Sequence, residues 1–263
     1  MPEILSGLTI NDYVHPEDVA AINALKKVPK LDELFTRLGD NSNRHFMHST
    51  ALGKYVRINK ETCPEIYNVV ERVCKILDYD KIPEVFTRRS CSLDVEVGGV
   101  DQPMLVIPDF IINNYDEKLM LFAVGRAVSK LKTDYLKYYS IARIAIEIVE
   151  FSQHIPDSIN VLFAKWMQKA ELTADRGGLL ACQDCKTAIR CLMNIAGMPV
   201  DFTKDISVSD YIEACKCDSK LVKASRNLLT LTNCTGWSND RIIELFNWYS
   251  GQEYGDILDK YSF

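Results

Sequence analysis

An excess of basic residues is what this sequence most clearly lacks. Its 31 Lys and Arg stand against 36 Asp and Glu, for a net charge of −5. A general nucleic-acid binder needs a basic face to displace counterions, so that class is excluded. Long apolar runs are absent too: no stretch reaches the roughly 18 uncharged apolar residues of a membrane-spanning helix. The opening Met1-Pro2-Glu3-Ile4-Leu5 has no basic segment leading into an apolar one, so no signal peptide is expected. No G-x-S-x-G elbow, P-loop or Rossmann glycine fingerprint occurs. Histidine is scarce. Among the four, at 15, 45, 48 and 154, no two are spaced four apart, and His45 and His48 lie in a polar stretch typical of a surface or turn.

What is present describes a folded chain. Of 263 residues, 47% are apolar and 25% charged, enough to bury a sizeable core without metal or disulfide staples. The nine cysteines are odd in number, which with no export signal predicts reduced thiols and a cytoplasmic location. Cys182-x-x-Cys185 and Cys215-x-Cys217 look like zinc half-sites. Cys182 and Cys185 are one helical turn apart among apolar neighbours, however, where Cys serves as a small buried hydrophobe. Asn233-Cys234-Thr235 matches the glycosylation sequon, a chance match without export.

Helical periodicity dominates. An amphipathic stretch begins at Asp18–Leu25 after His15-Pro16, and Thr62-Cys63-Pro64-Glu65 reads as a capping box opening a helix with Ile66, Val69, Val70, Val73 and Leu77 on one face. The period then changes. Leu93, Val95 and Val97 alternate with Asp94 and Glu96, predicting a half-buried strand that ends at Gly98-Gly99, with Met104–Ile107 as its hairpin partner. Helices are expected over Asp116–Lys132, Ile141–Phe151, Ser158–Ile195 and Asn239–Tyr249, the third stopped by Gly197-Met198-Pro199. Trp166, Trp237 and Trp248 fall at apolar helical positions and are expected in the core. The predicted architecture is α+β, mostly α-helical with a small antiparallel sheet. It forms one domain over 1–263, with an N-terminal helical segment (1–60), a core (61–199) and C-terminal helices (200–263).

Two segments stand out, Leu121-Phe-Ala-Val-Gly-Arg-Ala-Val-Ser-Lys130 and Trp166-Met-Gln-Lys-Ala-Glu-Leu-Thr-Ala-Asp-Arg-Gly-Gly-Leu179. Together they resemble the metal-site helices of the zinc metallopeptidase family that includes the CAAX prenyl endopeptidases and membrane heat-shock peptidases (peptidase family M-forty-eight). In that family an apolar run leads into H-E-x-x-H, and a third ligand comes from a pattern like E-x-x-A-D-x-x-G, which Glu171–Gly178 fits. Arg241-Ile-Ile-Glu-Leu245, Trp248 and Glu253-Tyr254 are similar to the family's closing helix. The resemblance spans about His15 to Ile257 and implies a gluzincin-like fold.

The departure falls on the chemistry. By this alignment Arg126 stands where the first zinc histidine belongs, Ala127 where the general-base glutamate belongs and Lys130 where the second histidine belongs. Arg offers no lone pair to a metal, Lys is protonated at neutral pH, and only Glu171 remains of the three ligands. No metal, cofactor or catalytic residue is therefore expected. Arg126 and Lys130 share one helical face, as do Glu171 and Asp175, the latter being the family's support for the first histidine. Arg126 is expected to fork onto Asp175, Glu171 or both, with Lys130 nearby.

The function implied is that of a degenerate, inactive peptidase holding a peptide or protein partner in the former substrate groove. Leu93, Asp94, Val95, Glu96 and Val97 would form the accepting edge strand. Asp94 and Glu96 there would either favour a basic peptide or form a solvated face. The alternatives are a residual zinc metalloendopeptidase, or a metal-free enzyme built on Arg126, Lys130 and Glu171, with Lys130 as base or nucleophile.

Overall fold

Apolar spacing of three and four along most of the chain yields helices, and the one alternating stretch yields part of a sheet. The structure, a computed structural model, describes residues 2–29, 31, 46–90, 92–99, 102–133, 135–136, 138–139, 157–215 and 238–262. In order come α1 (Pro16–Lys26), α2 (Phe46–Lys54), β1 (Val56–Ile58), α3 (Pro64–Ile76), β2 (Glu84–Arg88), β3 (Glu96–Gly98) and β4 (Met104–Pro108). These are followed by α4 (Asp109–Asn114), α5 (Glu117–Lys132), α6 (Asp157–Cys182), α7 (Cys185–Ile195), α8 (Val208–Cys215), α9 (Ser238–Ser250) and α10 (Gln252–Tyr261). The result is a mostly helical α+β fold. The expected helix over Ile141–Phe151 lies outside the described residues.

The sheet runs β1-β2-β4-β3. The hairpin of β3 and β4 forms as expected, antiparallel with Val97 opposite Leu105. Its turn depends on Gly99, at φ +79°, where an added Cβ would collide with the Gln102 carbonyl. The other strands qualify the antiparallel expectation: β1 pairs antiparallel to β2, but β2 runs parallel to β4, so the sheet is mixed. Every residue of β4 is buried, as suits a central strand covered on both faces. Leu105 and Ile107 join the main core while Met104 and Val106 pack with Phe86 and Ala51 on the other side. β1 and β2 escape the alternation test because each is short, and in β2 only the adjacent Val85 and Phe86, one per face, are buried.

Two helix boundaries correct the sequence reading. Cys63, not Thr62, is the N-cap of α3 and makes no side-chain cap bond. The Thr62 hydroxyl instead accepts from Asn59 N and donates to the Arg57 carbonyl, closing the turn before the helix. The single helix expected over Ser158–Ile195 is two. Gln183 takes left-handed backbone (φ +49°) and Asp184 caps α7 by accepting from Thr187 N. Gln183 also exchanges hydrogen bonds with the Glu3 backbone, donating to its carbonyl and accepting from its N–H, which fixes the N-terminal segment to this corner.

α5 is the central element, buried at every position from Leu119 to Leu131. It lies lengthwise on α6, and glycine sets how close the two come. A Cβ at Gly125 would overlap Ala181, one at Gly177 would overlap Ser129, and one at Gly178 would overlap Arg126 and Phe122. The main core gathers side chains from Leu5 to Ile257 around α5, and a smaller cluster holds Ile22, Leu25, Tyr139, Phe163 and Trp166. Trp166 and Trp248 are buried as expected, and Trp237 is outside the described residues. Among the described residues no helix is long and apolar enough to cross a membrane.

Candidate functional site

The close approach of α5 and α6 forces whatever faces across it into one small volume. Arg126 and Lys130, one turn apart on α5, there meet Glu171 and Asp175, one turn apart on α6. Arg126 has no solvent exposure. Its Nε donates to Asp175 Oδ1 at 2.7 Å and its Nη2 to Glu171 Oε2. Nη1 lies 2.6 Å from Asp94 Oδ1, an ion-pair contact too skewed to be a hydrogen bond. Lys130 Nζ donates to Glu171 Oε1 at 2.6 Å and approaches Asp94 Oδ2 at 3.4 Å. The fork expected onto Asp175, Glu171 or both is thus formed onto both, with Lys130 beside it.

Two further residues complete the cluster. Arg241 of α9 donates from Nε to Asp175 Oδ2 at 2.8 Å and from Nη2 to Asp175 Oδ1 at 2.7 Å, and lies 3.6 Å from Glu171 Oε2. Three cations and three carboxylates therefore share one site, where the sequence supplied two of each. Arg241 carried a detectable signal: it recurs with Leu245 and Trp248 on the buried face of α9, an unusual place for an unpaired charge. Asp94 corrects the edge-strand expectation. β3 begins only at Glu96, the stretch Leu93–Val95 precedes it as a bend and loop, and Asp94 turns inward to Arg126 and Lys130. Glu96 is paired as well, accepting from Arg88 Nη2 at 2.6 Å. Neither acid forms a solvated face or offers a free charge to a basic peptide.

Charge states follow from the packing. Burial raises the Asp94 carboxyl, but Arg126, Lys130 and Arg241 together outweigh it and hold its pKa down at about 2. Burial likewise works against ionised Glu171, and Lys130, Arg126 and Arg241 bring its pKa below the usual value. Burial lowers the Arg126 pKa, yet Asp94, Asp175 and Glu171 lift it well above the ordinary value. All three groups are therefore ionised at neutral pH.

The family resemblance implies zinc here, and the donor set does not fit it. Both oxygens of Glu171 are engaged by cations and a guanidinium fills the space between Glu171 and Asp175. Ala127 is a buried methyl with no acid–base capacity. Other candidate ligands lie elsewhere. His15 caps α1, its Nδ1 accepting from Glu17 N, and burial and Arg176 lower its pKa to about 4. His48 pairs with Glu84 at 2.5 Å, and His45 and His154 are outside the described residues. Cys182 and Cys185 are buried thiols, burial raising Cys185 to about 12, and Cys217 and Cys234 are outside the described residues. Among the described residues no cluster of His, Cys, Asp and Glu suits a metal ion.

With this geometry in place, comparison with known proteins finds a relative of the same class as the sequence resemblance. The chain is 22% identical over 271 aligned residues, 98% of its length, to plastoglobule-localized metallopeptidase 48, a chloroplastic protein of Arabidopsis thaliana, 78% of which is covered. No protein-family profile matches the chain, and no solved structure does.

Proposed function

We propose that this chain belongs to the M-forty-eight zinc metallopeptidases and has exchanged its metal for an internal ion cluster. It is then no hydrolase, and holds a peptide or protein partner along the outer edge of β3. The observation that carries this is the Arg126 guanidinium seated between Glu171 and Asp175, the two carboxylates that match the family's metal-ligand and support positions. Without a carboxylate at 127 nothing stands ready to take the proton of an attacking water, and Lys130 is tied to Glu171. The peptide-holding role is supported by β3 being the last strand in the sheet order, with no strand on its outer edge among the described residues. A single domain and a reducing, cytoplasmic setting belong to the same proposal, the latter supported by free Cys63, Cys74, Cys182, Cys185, Cys191 and Cys215.

Elemental analysis of protein purified without added metal, paired with a peptide-hydrolysis assay, tests the first half. The expected result is no stoichiometric zinc and no cleavage, and zinc bound beside Glu171 would overturn it. Binding of extended peptides to the intact chain, against the same peptides N-methylated along the backbone, tests the second. Loss of binding on N-methylation is expected, and equal binding would remove β3 as the edge.

A further inference from the structure

Where the N-terminal parts of α3 and α5 come together they leave a groove of about 410 Å³. Glu117 and Met120 of its lining precede Arg126 on α5 by roughly 9–13 Å along the helix, so the groove stands apart from the ion cluster. Its apolar wall is made by the half-buried Ile66, Val69 and Ile112 and the buried Tyr115 and Met120. The Tyr115 hydroxyl donates to Asn194 and is not free for a guest.

Four charged side chains share the lining with one exposed amide, Asn68, and the charges do not cancel. Arg72 donates to Glu117, which closes that pair on itself. Asp116 caps α5, its Oδ1 accepting from Leu119 N at 2.9 Å, and forms no ion pair among the described residues. The side chain of Glu65, exposed in the first turn of α3, has neither a hydrogen bond nor an ion pair among the described residues. The partial charge of a helix N-terminus, roughly +0.5, offsets each of these carboxylates only in part. The groove therefore keeps a negative charge beside an apolar wall.

That combination selects its guest. An anion would be repelled, and a neutral apolar group would strip water from two carboxylates without replacing it. A Lys or Arg side chain meets both demands, with its methylene stem on the wall and its cation at the carboxylates. Glu65 and Asp116 are exposed, where ion pairs are weak, so they would not hold a free amine tightly. A side chain delivered by a protein that also covers the surface around the groove does not depend on them alone.

We propose that this groove docks a protein partner through one Lys or Arg side chain of that partner, held by Glu65 and Asp116. The inference does not depend on the role proposed for β3, which lies on another part of the molecule.

The test follows the backbone amide signals of residues 65–72 and 112–120 in the isotopically labelled full chain by NMR titration. The probes are an eight-residue Ala-Gly peptide with a central Arg, the same peptide with norleucine or Glu in its place, N-acetyl-arginine methylamide, and guanidinium ion. The Arg peptide is expected to move these signals and to bind about fivefold or more tighter than the norleucine and Glu peptides. The double variant Glu65→Gln, Asp116→Asn is expected to lose that advantage. Its circular-dichroism melt should stay unchanged, since Asn keeps the α5 cap and Gln suits a helix. Equal binding of the norleucine peptide, or an unchanged advantage in the double variant, would overturn the proposal. Guanidinium ion moving the same signals at the same concentration would reduce the groove to an acidic patch and also overturn it. N-acetyl-arginine methylamide binding as tightly as the Arg peptide would make it a small-amine site and overturn the partner. Binding of no probe at these signals would overturn the groove altogether, and none of these results bears on β3.

Discussion

Arg126 owes its position to three carboxylates rather than to any favourable solvation, since its side chain is entirely buried. A buried pair of this kind contributes little net stability when intact, but removing one partner strands the other. Arg126→Met and Asp175→Asn are each expected to cost about 3–5 kcal/mol in urea denaturation, and the double variant clearly less than their sum. Additive losses would show that the residues do not act as a unit. The cluster also sets an acid limit. Asp94 has its pKa held at about 2 against an ordinary 3.8, so its contribution is complete above pH 4 and disappears as pH falls toward 2. That contribution is on the order of 2 kcal/mol, and Asp94→Asn should flatten the stability profile in that window. Asp18 behaves oppositely. Burial raises its pKa, while the Trp166 indole and Thr173 hydroxyl donate to it without an ion pair among the described residues. Its folded form holds a proton more tightly than the unfolded chain, so stability falls as pH rises above about 4. Asp18→Asn should remove that decline, visible as a smaller fall in melting temperature as pH is raised from the ordinary carboxylate range.

Between helices, the spacing of α5 and α6 decides whether the charges can meet. Gly178 has the Arg126 stem and the Phe122 ring where a methyl would go. Gly178→Ala is therefore expected to cost about 1–3 kcal/mol or more and to push Arg126 from its carboxylates. Gly255 in α10 has nothing within 4 Å of an added Cβ, and it is exposed in the helix. Gly255→Ala should stabilise by up to about 1 kcal/mol through helix propensity alone. Thermal melts of the two variants against the parent give opposite signs if close helix packing, and not glycine content, is what matters. The pair Gly177-Gly178 leaves a mark of close helices in the sequence, because consecutive glycines within a helix are unfavourable without a packing reason. The break at Gln183 leaves none. A single left-handed residue other than glycine leaves no compositional mark, and the apolar period continues across it into α7.

For the molecule as a whole, if the ionic cluster has replaced a metal as proposed, folding is independent of metal supply. Purified protein with and without excess chelator should melt at the same temperature, and a fall of several degrees on chelation would show a structural metal. The same cluster joins α5, α6, α9 and the segment before β3. Its loss is therefore expected to lower the global transition and not to loosen one element alone.

The helical character of most of the chain and the β3–β4 hairpin follow from local periodicity, which the chain order fixes directly. That Arg126 and Lys130 share one face of α5, and Glu171 and Asp175 one face of α6, follows likewise from their spacing of four, while the meeting of the two faces was implied only by the family resemblance. The parallel alignment of β2 with β4, the inward turn of Asp94 and the arrival of Arg241 have no such local origin. They join residues tens of positions apart, and only the packing that buries α5 brings those charges within 4 Å and makes each the counter-ion of another.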